Sequence, residues 1–251
     1  MVELIVLSIV QGIAEFLPIS SSGHLSLLQH LYGIEDTQQL DIFLHLATFF
    51  AIVAFFRKPI RETFDVGRME NRRLIGNLVL ATAVTTAFYF VFQKVIDASL
   101  ESVVVVGFGF LATTVILSAT RFRPEGGTMP VTWWIALSVG LAQGLAIFPG
   151  VSRSGTTIAC LMLLGVAPQQ AGFFSMMMFL PAIVGAVVLN GDFAEAIPYS
   201  AVELGMAFVL TFAVSYGSLA YLMRFLRRGK FYHFAAWTFL MFLASVGLSF
   251  V

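Results

Sequence analysis

Long apolar runs leave a chain few ways to fold. Residues 40–56, 74–95, 102–120, 170–189, 202–222 and 234–250 are each almost wholly apolar. About 20 such residues cross a hydrocarbon core of roughly 30 Å as a helix. In lipid every backbone N–H and C=O must find its partner inside the structure, so only helices and closed barrels span. The runs lack the apolar–polar alternation of barrel strands. With 11% charged residues, against about 25% in soluble domains, the chain reads as an all-α integral membrane protein. The first ten residues have no basic cluster, so a cleaved signal peptide is not expected.

Two stretches break the pattern. Gln11-Gly-Ile-Ala-Glu-Phe-Leu-Pro-Ile-Ser-Ser-Ser-Gly-His24 sets a carboxylate, three serines and a histidine among apolar residues. At an offset of 132 residues, Gln143, Gly144, Ala146, Phe148, Ser152, Ser154 and Gly155 repeat Gln11, Gly12, Ala14, Phe16, Ser20, Ser22 and Gly23. That offset is close to half the chain of 251 residues. The apolar pieces flanking each polar loop (1–17 and 24–33, then 131–148 and 156–166) are too short to span easily. They read as two re-entrant helical hairpins, whose irregular backbone must be packed in protein or line a wet cavity.

Loop charges give the orientation. Arg57, Lys58, Arg61, Arg68, Arg72 and Arg73 form the densest basic segment, followed by Arg121 with Arg123, and by Arg224, Arg227, Arg228 and Lys230. By the positive-inside rule these are cytoplasmic. The opposite turns hold Lys94, Asp97 and Glu101, and Asn190, Asp192 and Glu195. The expectation is six transmembrane helices plus two re-entrant hairpins in one polytopic domain, residues 1–251. Repeat 1 covers about 1–123, repeat 2 about 131–251, with a Pro/Gly-rich linker at 124–130. The first hairpin enters from outside and the second from inside, which makes an inverted-topology internal repeat with both termini outside. Such repeats place ligand sites at their interface near the midplane.

The polar residues at that depth need partners or a function. Gln11 and Glu15 share a helix face and could bind a cation, orient a water or position the loop. Ser20, Ser21 and Ser22 offer hydroxyls at a helix start, where anions bind and where serine also simply caps. His24 suits proton transfer or attack on phosphorus; a lone histidine on an apolar helix is otherwise a hydrogen-bonded core residue. Arg153, between Ser152 and Ser154, has a planar fork suited to phosphate. Its other reading is a salt bridge to Glu15 across the repeat interface. Asp41 and His45 share a face of the first crossing, where they either support the site or form a buried hydrogen bond. His30 and His233 are placed near helix ends, Trp133 and Trp134 in an interfacial belt, and Met176–Met178 in the core or along a lipid tail. Cys160, the lone cysteine, is a packing residue. A formal net charge of zero gives no nucleic-acid signal.

Taken together, Gln11-x-x-x-Glu15, Pro18-x-Ser-Ser-x-Gly-His24 and Pro149-Gly-x-Ser-Arg-Ser-Gly155 resemble the undecaprenyl-pyrophosphate phosphatase family, the bacitracin-resistance proteins. The likeness extends over nearly the whole chain. The family's first motif begins with Glu or Gln; this chain has the Gln form and so one carboxylate there. The resemblance implies hydrolysis of undecaprenyl diphosphate to undecaprenyl phosphate and inorganic phosphate in a bacterial plasma membrane, with the site opening outward. It carries functional roles to Gln11, Glu15, Ser21, His24, Ser152 and Arg153, and implies a divalent cation, Mg²⁺ or Ca²⁺, on Glu15 and Gln11. The expected catalytic groups are Glu15, Ser21, His24 and Arg153. Expected substrate contacts are Gln11, Ser20, Ser22, Ser152, Arg153, Ser154, Gly155 and Thr156. Either His24 attacks phosphorus, or it activates Ser21 or a water. A polyprenyl-phosphate flippase is the rival function. Expected partners are the lipid diphosphate, the bilayer and a second copy of the chain, with no nucleic acid.

Overall fold

The computed structural model describes residues 1–34, 38–99, 102–189 and 197–249. Glu101, and the turn holding Asn190, Asp192 and Glu195, lie outside them. Among the described residues the fold is all helical. The α-helices are α1 (Val2–Ala14), α2 (Ser21–Tyr32), α3 (Gln38–Phe55), α4 (Arg57–Thr63), α5 (Met69–Ser99), α6 (Val103–Ala119), α7 (Trp133–Leu145), α8 (Arg153–Leu163), α9 (Pro168–Leu189), α10 (Ala201–Leu226) and α11 (Phe234–Leu248). Six are long and apolar enough to cross a membrane: α3, α5, α6, α9, α10 and α11, with 3₁₀ turns at Thr120–Phe122 and Phe231–His233 extending two of them. These are the six runs expected from hydropathy.

Four shorter helices, α1, α2, α7 and α8, flank the polar loops. At 1.5 Å per residue, the 13 residues of α1 and of α7 and the 12 and 11 of α2 and α8 fall well short of the hydrocarbon thickness. Their starts are written in the sequence. Ser20 caps α2, Ser152 caps α8 and Thr132 caps α7, each hydroxyl accepting the N–H three residues on. Gly33, at φ 63°, ends α2 in the left-handed region.

The basic segment expected as a loop contains a helix. In α4, Pro59 sits in the first turn, where a missing N–H costs nothing. Asn71 Nδ2 then bridges the carbonyls of Glu62 and Asp65, at 2.7 and 2.8 Å, and closes the turn into α5. α5 consequently begins at Met69 rather than near 74 and runs for 31 residues.

α1 packs on α10, α7 on α5, and α6 along α11. α8 and α9 fill the middle, where Phe16, Ile158, Leu161, Phe174, Met176 and Met178 are buried in one apolar cluster. The methionine run is thus core, and Cys160 packs against the same cluster. His30 and His233 are exposed. Trp133 and Trp134 are exposed and stacked at 3.7 Å.

The two polar loops meet. Ser154 Oγ donates to the Leu17 carbonyl at 3.3 Å. α6 holds the second loop in place: Thr113 Oγ1 donates to the Gly150 carbonyl at 3.0 Å and accepts the Ser152 amide at 2.9 Å. Glycine is required at this crossing. A Cβ on Gly109 would strike the Pro149 carbonyl, and Gly150, at φ 83°, lies against the Val106 carbonyl.

Candidate active site

Glu15 is the hub. It follows the last residue of α1 and its N–H still bonds to the Gln11 carbonyl, so its side chain leaves the helix where the chain turns toward Pro18. The carboxylate is 4% exposed. Arg153 Nη2 donates to Oε1 at 2.7 Å. Three groups converge on Oε2: Ser21 Oγ at 2.7 Å, Gln11 Nε2 at 3.0 Å and His45 Nε2 at 3.1 Å. An ionised carboxylate offers about two lone-pair sites per oxygen; Oε2 is crowded by three partners, and Oε1 carries Arg153 alone.

Ser21 reaches Glu15 because of an unusual backbone. Ser20, at φ 68°, is the one non-glycine residue with positive φ among those described. Such strain concentrates at functional sites. It turns the chain so that α2 starts directly over Glu15 with Ser21 first. Ser20 Oγ accepts the Gly23 amide at 3.2 Å, the capping role that any serine here could fill. Ser22 is exposed on the other side of the turn, 3.4 Å from Ser20 Oγ.

Arg153 opens α8. Its guanidinium carbon stands 3.4 Å from the centroid of the Phe179 ring, a cation–π contact that supports a cation in an apolar setting. Nη2 is taken by Glu15, whereas Nε and Nη1 are buried without a hydrogen-bond partner, as is the Thr156 hydroxyl. The two guanidinium nitrogens are unspent donors beside the ion pair that joins the two polar loops. The other expected phosphate contacts are occupied in holding the loop. The Gly155 amide goes to Ser152 Oγ at 3.1 Å, Ser152 Oγ and Ser154 Oγ are 3.4 Å apart, and Ser154 also binds the Leu17 carbonyl.

Sequence spacing groups His24 with Ser21; the structure sets their polar atoms on different partners. His24 Nδ1 is 2.7 Å from the Ser20 carbonyl, and Nε2 accepts the Trp237 indole N–H at 3.0 Å. The ring also meets Phe110 edge-on at 5.3 Å between centroids. Trp237 was invisible to motif reading because it lies 213 residues away, on α11.

His45 is drawn into the site more firmly than its sequence neighbourhood suggests. Its Nδ1 is 2.6 Å from the Asp41 carbonyl and its Nε2 faces Glu15. Both nitrogens face oxygen acceptors, an arrangement satisfied when both carry hydrogen. The Asp41 carboxylate does not touch the site; it accepts Gln29 Nε2 at 2.8 Å. The four-residue spacing of Asp41 and His45 was the available signal.

No group of three or more His, Cys, Asp or Glu able to hold a metal occurs among the described residues. The donors expected to take a cation are Glu15, whose oxygens already carry four partners, and Gln11, whose Oε1 is buried and unpartnered.

Residues 4–244 match the family model described as bacitracin resistance protein BacA. The chain is 37% identical to the undecaprenyl-diphosphatase of Desulfosudis oleivorans, with 94% of each chain covered. It is 34% identical to the undecaprenyl-diphosphatase of Treponema denticola, with 98% of this chain and 96% of the relative covered. For that of Thermotoga maritima the identity is 37%, with 74% of this chain and 77% of the relative covered.

Proposed function

The chain belongs to the bacitracin resistance protein BacA family, and on that premise we propose that it hydrolyses undecaprenyl diphosphate to undecaprenyl phosphate and inorganic phosphate. It thereby returns the lipid carrier to cell-wall synthesis and opposes bacitracin. The observation that carries this reading is the largely enclosed Arg153 side chain, held by one nitrogen on Glu15 and with Nε and Nη1 buried and unpartnered. A guanidinium fork with open donors is a phosphate receptor.

Arg153 and the Thr156 hydroxyl take the terminal phosphate of the substrate. As the phosphate engages the guanidinium, Glu15 is freed to accept the Ser21 proton while Ser21 Oγ attacks the terminal phosphorus. The P–O bond to the lipid-borne phosphate breaks and its electron pair leaves on that oxygen as undecaprenyl phosphate. Water then attacks that phosphorus, the Ser21 Oγ–P bond breaks, the proton held on Glu15 returns to Ser21 Oγ, and phosphate departs carrying the hydrogens of the water. Positive charge from Arg153 offsets the charge spread over the phosphoryl oxygens in the transition state. Ser21 is favoured over His24 as the attacking group because both His24 nitrogens are engaged. Glu15 and Gln11 Oε1 would hold a divalent cation, which would supply positive charge to offset the phosphates.

The α1–α2 and α7–α8 pairs are proposed as re-entrant hairpins and the two halves as an inverted repeat. Exchanging α1 with α7, α5 with α10 and α6 with α11 maps the α1–α10 packing onto α7–α5 and the α6–α11 packing onto itself, which supports that reading. The basic segments then face the cytoplasm, and the site and both termini the outer side. A homodimer is proposed as the assembly.

The test is phosphate release from a polyprenyl diphosphate by purified protein in detergent, where no sidedness exists. Release supports a hydrolase; lipid movement in vesicles without release in detergent would replace it with a flippase. Excess chelator should abolish most of the release while leaving the melting temperature unchanged, and full activity in chelator would remove the cation.

A further inference from the structure

Trp237, on α11 and outside both polar loops, bonds directly to the side chain of His24. Its indole N–H, which can only donate, points at His24 Nε2 from 3.0 Å. Nε2 must therefore be the bare acceptor. On the other side, Nδ1 lies 2.7 Å from the Ser20 carbonyl, which can only accept, so Nδ1 carries the hydrogen. The two planes lie within 4° of parallel. His24 is thus set in one neutral tautomer by two unlike partners.

The Ser20 carbonyl is a sensitive place to bind. Ser20 adopts the positive φ that starts α2 over Glu15 and presents Ser21 to Oε2. Trp237 reaches the attacking hydroxyl through His24 and Ser20, across three consecutive links: two hydrogen bonds and the Ser20–Ser21 peptide. The bland alternative is an aromatic anchor that packs α11 on α2. An anchor needs the ring; fixing the tautomer needs the N–H.

We propose that Trp237 is a positioning residue for the hydrolysis: its indole N–H holds His24 as the Nδ1–H tautomer, and His24 in turn holds the Ser20 carbonyl and the strained turn that sets Ser21 on Glu15. The inference rests on the hydrolase reading above. It predicts an effect on turnover rather than on substrate capture, since a small misplacement of a reacting group costs rate at fixed binding.

The experiment replaces Trp237 by β-(3-benzothienyl)alanine, which keeps a bicyclic ring and exchanges the N–H for sulfur, and separately by Phe. Phosphate release from a polyprenyl diphosphate is measured in detergent. In parallel, the imidazole ¹⁵N shifts of His24 are read in histidine-labelled protein, with the exposed His30 and His233 replaced to simplify assignment. The expected result for the isostere is a kcat lower by about tenfold or more, KM within about twofold, and a His24 signal moved from the pure Nδ1–H pattern toward a mixture, with Trp237→Phe behaving alike. An isostere with unchanged kcat, or with an unchanged His24 pattern, overturns the proposal. Wild-type protein that releases no phosphate instead overturns the hydrolase reading, while the ¹⁵N pattern still reports on the Trp237–His24 bond.

Discussion

Arg153 Nη2 stands 2.7 Å from Glu15 Oε1, joining positions 138 residues apart and tying the second polar loop to the first. Removing one partner of a buried ion pair strands the other charge, at about 3–5 kcal/mol. Arg153→Ala should therefore lower the melting temperature in detergent and abolish measurable phosphate release. The double variant Arg153→Met with Glu15→Gln should recover much of the stability and none of the activity. A double variant as unstable as Arg153→Ala would show that the pair is not the source of the loss.

Ser21 and Ser22 are neighbours with opposite surroundings. Ser21 Oγ donates to Glu15 at 2.7 Å, whereas Ser22 is exposed and near only the Ser20 hydroxyl. Ser21→Ala should reduce kcat by about a hundredfold or more, within the range of a lost proton-transfer group. Ser22→Ala should stay within about threefold of wild type. Steady-state kinetics on both variants checks this, and equal losses would count against Ser21 as the attacking group.

His45 holds Glu15 from α3, by a contact that either a ring N–H or an amide N–H could make. His45→Gln should keep a large share of the activity, and His45→Ala should lose about tenfold or more by letting the carboxylate reorient. Comparing kcat for the two variants at matched substrate is decisive: if both fell alike, the donor to Glu15 would not be what matters.

Gly109 lies on α6, against the backbone of Pro149 and Gly150. A methyl group there has no room beside the Pro149 carbonyl, and the loop rather than the helix must move. Gly109→Ala should cut phosphate release by about tenfold or more while the far-ultraviolet circular dichroism stays that of a folded helical protein. Wild-type activity in this variant would show that the loop tolerates displacement.

Much of the architecture could be read directly. The six spans coincide with six apolar runs because the bilayer imposes a length and helices satisfy their own backbone. The two polar loops stood out because carboxylate and guanidinium groups are costly among the apolar runs of a membrane chain, and the Glu15–Arg153 pairing was one of two readings of Arg153. The basic segment was less legible: α4 is seven residues long, and a helix that short leaves almost no periodic signature.

What the residues determined by themselves was the number and place of the spanning helices and the identity of the chemically expensive groups, since both follow from local transfer energies. Which hydroxyl faces the carboxylate, where both nitrogens of His24 are engaged, and that His45 and Trp237 belong to the site were decided only in three dimensions. Those relations depend on one turn at positive φ in Ser20, on loops pressed together at Gly109 and Gly150, and on helices far apart in sequence. Hydrogen bonds are directional and short-ranged, so no pattern along the chain encodes them until packing brings the partners within 3 Å or so.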